Sequence, residues 1–180
     1  VISDINAKTH RIDGLELTAN MTGKPFPNGA LNAKLGANIL VDLAKQVASM
    51  ADLNVSTGQL SLSGKVDVTG LDAKPGYTGR IAVAPFNLRA LMKDLGMAEV
   101  ATADANVLGQ TSVDFGLSGN ASSVTLKPLT VKLDDTTMTG QLGVADFSSG
   151  ALRFNLDIDA IDADRYLPPG SKGAAASPGG

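Results

Sequence analysis

The fold is decided by one run of alternating residues, Leu31-Asn32-Ala33-Lys34-Leu35-Gly36-Ala37-Asn38-Ile39-Leu40-Val41. Every second side chain of this run is apolar, and the residues between are polar or glycine except for Leu40. Because successive side chains of an extended strand point to opposite faces, this period gives the strand one apolar and one polar face. Such a pattern is typical of antiparallel sheets that have one polar, solvated face.

The same alternation continues along the chain in residues 15–22, 60–68, 113–117, 129–133, 142–144 and 152–158. Several runs reach about ten residues, which is long against a common strand length of about five to six. The phase slips by one residue at Lys127-Pro128, where proline cannot donate to a ladder, and this predicts a bulge or an edge position. Turn residues such as those of Pro25–Gly29 separate the runs, so a meander of hairpins is expected.

A second period occurs in one place only. Four apolar residues there have the i, i+3, i+4, i+7 spacing of a helix face: Leu88, Leu91, Met92 and Leu95. Asn87 is a suitable N-cap and Gly96 stands where a C′ glycine belongs, so a helix over 88–95 is predicted. Residues 42–53 are predicted to form a strand with a break. The chain is expected to be one β-rich domain over 1–169, followed by a flexible Gly/Ala/Ser/Pro tail over 170–180.

Composition excludes most reaction chemistry. The 180 residues include no cysteine, no tryptophan and a single histidine, while 43% are hydrophobic. Thiolate nucleophiles, thiolate metal sites and sites with two histidines are therefore impossible. Nucleotide-binding and serine-hydrolase motifs are missing from the sequence. We therefore expect no enzyme activity, no cofactor and no bound metal.

Charge excludes another class of partner. Fifteen basic and eighteen acidic residues give a net charge of −3, and the basic residues are scattered singly. A protein that tracks phosphates needs clustered basic residues, so nucleic acid is not expected. No apolar run approaches the roughly 18 residues that a membrane-spanning helix requires. The chain opens on Val1 rather than Met, and we expect it to be a fragment of a larger protein.

The few polar residues of interest have structural explanations. His10 has no second histidine with which to bind a metal, so a surface or turn position is expected. Carboxylates cluster at Asp134-Asp135 and again near the C-terminus, at Asp157, Asp159, Asp162 and Asp164. Because two of these aspartates alternate with apolar residues, a solvated strand face explains them better than a metal site. Arg165 is predicted to form a structural ion pair with Asp162 or Asp164.

The apolar faces of long strands must be covered by something. One two-turn helix is too small for this, so two architectures are open: a curved or U-shaped sheet with an accessible apolar groove, and a closed β-sandwich. A groove lined by aliphatic side chains suits acyl chains, which require apolar area and little directional recognition. The candidate lipid-binding residues are Leu31, Leu35, Ile39, Leu60, Leu62, Val66, Val113, Phe115, Leu117, Leu142, Val144, Phe154, Leu156 and Ile158.

Three strings carry a family resemblance. They are the segment Leu133–Gly140, the segment Phe154–Pro169 with its ending Ile161-Asp162-Ala163-Asp164-Arg165-Tyr166-Leu167-Pro168-Pro169, and the helix segment Ala84–Gly96. The chain resembles the AsmA family of Gram-negative bacteria, in which an IDxDRYLPP segment closes a β-rich region and a PFN-x-R-x-L-x-x-x-LG helix lies upstream. The resemblance covers about residues 78–169.

The resemblance implies a large periplasmic protein anchored in the inner membrane by one N-terminal helix, which this chain does not include. It also implies a bridge-like lipid-transfer role, in which a long β-groove carries phospholipid or another acyl-chain lipid and supports the outer membrane. The alternative function is a structural or interaction module of the cell envelope that binds no lipid.

Overall fold

The computed structural model describes residues 1–23 and 30–170. In these residues the chain forms one ten-stranded antiparallel sheet with two short helices. The strands are β1 Ile2–Asp4, β2 Thr9–Thr22, β3 Ala30–Asp42, β4 Val47–Thr57, β5 Leu60–Thr69, β6 Gly76–Phe86, β7 Thr111–Asn120, β8 Ser123–Leu133, β9 Thr136–Val144 and β10 Leu152–Ile158. Helix α1, Leu88–Asp94, lies between β6 and β7, and helix α2, Ala163–Tyr166, follows β10.

The strand order is a simple meander, because each strand pairs with the next one along the chain. The sheet is open, since β1 and β10 are its two edges and do not pair with each other. The prediction of a mainly β fold with long antiparallel strands is confirmed. The closed-sandwich alternative is wrong for the described residues, which build a single sheet with no second one to cover it.

Irregularities lie near the middle of many strands. Register shifts interrupt the pairing between Ile12 and Leu15 in β2, Met50 and Leu53 in β4, and Leu126 and Leu129 in β8. The last one confirms the bulge predicted at Lys127-Pro128. Each bulge inserts an unpaired residue and increases local twist and bending. A line of such interruptions across the sheet gives the open, curved, groove-like form.

Two glycines extend this line through strands β5 and β9. At Gly64 a Cβ atom would overlap the carbonyl oxygen of Arg80 on β6, and at Gly140 it would overlap that of Asn155 on β10. Gly140 also has a φ of +152°, which L side chains rarely adopt. Only glycine lets the neighbouring backbones approach so closely, and glycine kinks of this kind curve a sheet.

The buried core is a thin band rather than a layer between two sheets. Ala37, Leu53 and Ile81 form its centre, with exposures of 5–8%, and Leu129 is 7% exposed. The only other apolar residue buried to this degree in the described chain is Val107, in the connection between α1 and β7. The fold is therefore stabilised by side chains that shield one another along the sheet midline.

The predicted helix is present over Leu88–Asp94. Its N-cap is Asn87, whose side-chain oxygen accepts from the Ala90 N–H at 2.8 Å, and Gly96 beyond its end has a φ of +70°. These are the capping features that the sequence indicates. The break expected within residues 42–53 is a turn over residues 43–46 followed by the bulge of β4. The second helix, α2, was not predicted from the sequence.

In residues 1–23 and 30–170, no helix is both long enough and apolar enough to cross a membrane. The predicted turn at Pro25–Gly29 lies outside the described residues, as does the predicted tail after Gly170.

Candidate functional site: an open apolar face

Cross-strand register collects the apolar side chains on one side of the sheet, which we call the apolar face. Directly paired residues of adjacent strands point to the same side. Following the pairs from β2 to β10 gives an unbroken apolar row, and every one of the nine strands contributes to it. This row is Leu17, Leu35, Val55, Leu62, Val83, Val113, Val131, Met138 and Ile158.

Two further rows lie on the same face, a central row beside the first one and a third row beyond it. The central row includes the most buried apolar side chains of the sheet, those of Ala37, Leu53, Ile81 and Leu129. Its members are Leu15, Ala37, Leu53, Gly64, Ile81, Phe115, Leu129, Gly140 and Leu156. The next row is apolar except for one glycine: Ile12, Ile39, Met50, Val66, Gly79, Leu117, Leu126, Leu142 and Phe154.

The structure places all fourteen sequence-predicted residues on this face. Most belong directly to the three rows. Val144 lies in the row beyond Leu142 and pairs with Val124 and Leu152. Leu31 and Leu60 lie toward the opposite strand ends, an even number of residues from Leu35 and Leu62 in uninterrupted strand segments. The register thus joins predicted residues from five separate runs into one surface.

Several residues of the face were not predicted. Ile81 and Leu129 are its most buried large side chains besides Leu53, yet none of the three was proposed. Leu129 and Leu126 lie on either side of the β8 bulge, and Leu53 follows the β4 bulge. A bulge reverses the apparent phase of a run, so alternation alone assigns the two halves of such a strand to opposite faces. The one-residue slip at Pro128 is the signal that could have identified two of them. If the phase is shifted by one residue at this point, Leu126 and Leu129 fall on the same face.

Exposure shows that the face is open. Ile81 in the middle is 7% exposed, whereas most side chains of the rows are half-buried. At the two ends of the sheet the same face is largely bare, with Leu17 55% and Phe154 68% exposed. A filled interior would bury every row to the same degree. The face is therefore accessible to solvent. Only its centre at Ala37, Leu53, Ile81 and Leu129, which we call the floor, is shielded.

The chemistry of the face is almost entirely van der Waals contact. No charged side chain lies on it in strands β2–β10, and its aromatic members are Tyr77, Phe86, Phe115 and Phe154. His10, at one end, pairs across from Val41, and its Nδ1 lies 3.1 Å from the Ser3 hydroxyl. Such a surface offers apolar area without orienting a polar reactant.

Charged residues occupy the other side of the sheet. Arg80 on β6 binds Asp114 on β7, with Nη2 and Oδ1 2.6 Å apart, and Lys65 lies directly across from Arg80. Both partners of the pair are exposed to solvent, where an ion pair contributes little to stability. The two faces of the sheet are therefore chemically distinct, as the alternation predicts.

One end of the apolar face is covered by the connection over residues 87–110, which we call the crossover. A cavity of about 270 Å³ lies where Leu91 and Leu95 of this connection face Leu31 and Leu60 of the sheet. Gln59, in the turn between β4 and β5, accepts from the Asn87 N–H at 3.2 Å and donates to Asp94 at 3.3 Å. Helix α1 is thus attached across the ends of the strands on the apolar side.

The crossover is held by a polar cluster that we call the clasp: Asp104, Asp134, Asp135, Arg165 and Tyr166. Asp134 is its centre. Its carboxylate accepts from the backbone N–H groups of Leu108, Gly109 and Gln110 at 2.7–3.0 Å, and from the Tyr166 hydroxyl at 3.0 Å. Asp134, which precedes β9, therefore fixes the backbone of residues 108–110 in the crossover.

Burial by itself would raise the pKa of the Asp134 carboxyl. The backbone N–H groups of Leu108 and Gln110 and the Tyr166 hydroxyl outweigh that effect, because they bind the charged form, and the pKa is lowered from its ordinary value. Burial, followed by the hydrogen bond to Asp134 and then by the charge of that carboxylate, raises the pKa of Tyr166. Asp134 is thus ionised and Tyr166 neutral at pH 7, and neither is poised for proton transfer.

Arg165 corrects one prediction. Its guanidinium binds Asp104 at 2.9 Å and Asp135 at 3.1 Å, rather than Asp162 or Asp164. The ion pair is structural, as expected, but the partners are wrong. Adjacent residues of a helical turn do not face each other, so Arg165 in α2 points away from Asp164 and toward the crossover. The Arg165 carbonyl also accepts from the Asp104 N–H at 3.1 Å.

Arg89 of helix α1 completes the support of the crossover. It donates to the carbonyls of Val100 and Val107 at 2.6 and 3.2 Å, and to the Thr102 hydroxyl at 2.7 Å. Beneath it Val107 is 1% exposed. The side chains of Arg89, Asp104, Asp134, Asp135, Arg165 and Tyr166 are thus all occupied by intramolecular partners. No set of three or more His, Asp or Glu side chains in the described part of the chain is arranged to hold a metal ion.

Comparison with known proteins adds no relative. No protein-family model, no curated protein and no solved structure matches the chain.

Proposed function

We propose that the apolar face binds the acyl chains of phospholipids, and that the chain is a periplasmic part of an inner-membrane-anchored, AsmA-like protein that supports phospholipid transport and outer-membrane homeostasis. One observation carries the binding proposal: apolar rows that continue over nine strands remain open to solvent in the described structure. A contiguous apolar surface of this kind marks an interaction site rather than an ordinary monomer surface.

The size of the face fits this ligand. Along β5 it extends from Leu60 to Val68, which is roughly 26 Å at about 3.3 Å per residue. One acyl chain covers half of a bilayer core of about 30 Å, or roughly 15 Å. A chain can therefore lie along the strands within the face, and further lipids can lie side by side across strands.

The mechanism is passive. Acyl chains exchange water for aliphatic side chains and gain the free energy of apolar burial, about 25 cal/mol per Å². Because no charged side chain on the face fixes a particular position, lipids can slide from strand to strand. The resemblance of residues 78–169 to the AsmA family supports the periplasmic setting.

The first test is detection of bound lipid. Native mass spectrometry of the chain purified without detergent from Gram-negative cells is expected to show phospholipid adducts, and the chain is expected to take up a fluorescent phospholipid from vesicles. A clean apo mass together with no uptake would overturn the proposal.

The second test separates the two faces. The double variant Leu62→Asp and Leu142→Asp is expected to lower uptake at least about tenfold, since one Asp in an apolar lipid environment costs several kcal/mol. The matched control, Ser63→Asp and Gln141→Asp, places the same charges one residue away on the outer face and is expected to keep uptake. Circular dichroism verifies that both variants are folded. If the double variant unfolds, Leu17→Asp and Phe154→Asp at the exposed ends of the face supply the same test.

A structural or interaction module of the cell envelope is the second candidate. It is favoured by β10, whose seven residues are all exposed and whose outer edge pairs with no described residue. An exposed edge strand is a template for pairing with another chain. Stable capture of a partner by a chain that shows no lipid uptake would select this function.

A further inference from the structure

The two ends of the strands differ in construction. At one end, which we call the turn rim, the described strands are joined by the short connections 5–8, 43–46, 70–75, 121–122 and 145–151. At the other end, the crossover rim, lie the turn at 58–59, the crossover, the turn at 134–135 and residues 159–166. A lipid lying along the strands has its headgroup at one of these rims.

The turn rim contains a row of three adjacent turns, each with one lysine and with one aspartate in it or directly beside it. The Leu43 N–H donates to the Lys8 carbonyl at 2.9 Å, and the Gly70 N–H donates to the Gln46 carbonyl at 2.9 Å, so three successive turns are joined by backbone hydrogen bonds. Each turn contributes one lysine: Lys8, Lys45 and Lys74. Lys8 and Gln46 have positive φ values of 54° and 56°, which fix the shape of their turns.

Carboxylates at this rim are largely tied into their own turns. Asp4 accepts from the Ala7 N–H at 2.8 Å, Asp146 accepts from the Ser148 N–H at 2.8 Å, and Asp42 accepts from the Lys45 N–H at 2.9 Å while contacting its ammonium group. The rim also contains Asp72, which lies in the same turn as Lys74. Lys45 is 77% exposed whereas Asp42 is only 12% exposed, so the ammonium group remains accessible to a further anion while it contacts Asp42.

The crossover rim has the opposite character. Its described residues include eight carboxylates and only three cations, and two of those cations, Arg89 and Arg165, are already bound within the crossover and the clasp. Helix α1 also covers this end of the apolar face with Leu91 and Leu95. An anionic group is therefore repelled there, whereas an apolar chain end meets additional apolar surface.

Building on the proposed function, we infer that a bound phospholipid has one orientation: its phosphate lies at the turn rim among Lys8, Lys45 and Lys74, and its acyl chains run along the strands toward helix α1. The orientation follows from the three lysines at the turn rim, and from the excess of carboxylates and the apolar closure at the crossover rim. It selects lipids with an anionic phosphate headgroup over uncharged acyl compounds.

The chain contains no cysteine, so single labels can be introduced cleanly. Ala44→Cys in a turn of the turn rim and Ala98→Cys in the crossover are matched, because both alanines are exposed. Each variant is labelled with bimane and loaded with phosphatidylcholine that carries a nitroxide on the headgroup or near the chain terminus. The headgroup nitroxide is expected to quench position 44 more than position 98, and the chain-terminal nitroxide is expected to do the reverse.

Electron paramagnetic resonance of the loaded protein measures retained lipid and separates the two hypotheses. Retained lipid with equal or reversed quenching overturns the orientation and leaves the proposed function standing. No retained lipid overturns both.

Charge reversal provides an independent measurement. Lys45→Glu with Lys74→Glu is expected to reduce retention of phosphatidylglycerol at least about fivefold. Lys34→Glu with Lys132→Glu makes the same change in net charge on the outer face and is expected to leave retention unchanged. Equal losses in both double variants would show that only net charge matters and would overturn the inferred site.

Discussion

The apolar face and the clasp consist of opposite kinds of side chain. The face is a surface of aliphatic side chains without a charged group, and its members were recognisable only by alternation. The clasp concentrates Asp134, Arg165 and Tyr166, the residues that a search for chemistry finds first. Yet each of these groups is occupied by an intramolecular partner, whereas the face is open. In this protein the residues with reactive side chains maintain structure, and the unreactive ones form the open apolar face that we propose as the lipid-binding surface.

The largest effect is expected within the apolar face, between a buried and an exposed position. Ile81→Asp is expected to lower the free energy of unfolding by at least about 3 kcal/mol, because it places an unpaired charge in the shielded floor. Phe154→Asp, on the same face but 68% exposed, is expected to cost about 1 kcal/mol or less. Urea unfolding followed by circular dichroism measures both. Similar losses of unfolding free energy in the two variants would mean that burial does not decrease from the centre of the face to its edge.

The clasp is expected to have a smaller effect, confined to the crossover. Asp134→Ala removes the acceptor of three backbone N–H groups and is expected to cost about 2 kcal/mol, whereas Tyr166→Phe removes one hydrogen bond and is expected to cost about 1 kcal/mol. Unfolding in urea gives these values, and proteolysis within residues 95–110 is expected to accelerate in Asp134→Ala.

The matched control for the clasp is Asp157→Ala, because Asp157 is an exposed aspartate in β10. It is expected to change stability by about 0.5 kcal/mol or less. If Asp134→Ala is equally mild, water replaces the carboxylate and the clasp does not hold the crossover.

The pH dependence of stability gives the smallest and most specific effect. Since the pKa of Asp134 is lowered in the folded chain, the stability that its carboxylate contributes is present above the ordinary aspartate pKa of about 3.9 and is lost as the pH falls through the lower folded value. The difference in stability between the wild type and Asp134→Asn is therefore expected to shrink on acidification from pH 6 to below about pH 4.

Asp104 contributes with the same sign, since the Asn106 backbone N–H and then Arg165 lower its pKa. Urea midpoints measured at a series of pH values test the prediction for Asp134. A wild-type advantage over Asp134→Asn that stays constant or grows in acid would show that the folded state does not favour the ionised carboxyl.

Much of the fold was predictable because it depends on local rules. Alternation located the long strands, and capping residues located α1 within one residue of its observed end. The slip at Pro128 correctly indicated a bulge. That Leu53 lies on the apolar face was not predictable, because its phase depends on a bulge in β4 and no proline marks that bulge in the sequence.

The candidate site was predicted in composition but not in extent. All fourteen proposed residues lie on the face, yet the buried floor at Ile81 and Leu129 was missed. The partners of Arg165 were also beyond reach, since Asp104 lies 61 residues away in the chain. Ion pairs at such separation depend on how the crossover folds back, which no local pattern records.

The amino-acid sequence by itself determined the extended strands, the short capped helix and the aliphatic, charge-free character of one sheet face, because periodicity and capping act over a few residues. Only the tertiary structure decided that the sheet stays open, that bulges and glycines keep nine strands in phase on one surface, and that the clasp fixes the crossover at one rim. A period of two fits an open groove and a closed sandwich equally well, so the choice between them depends on contacts between distant strands.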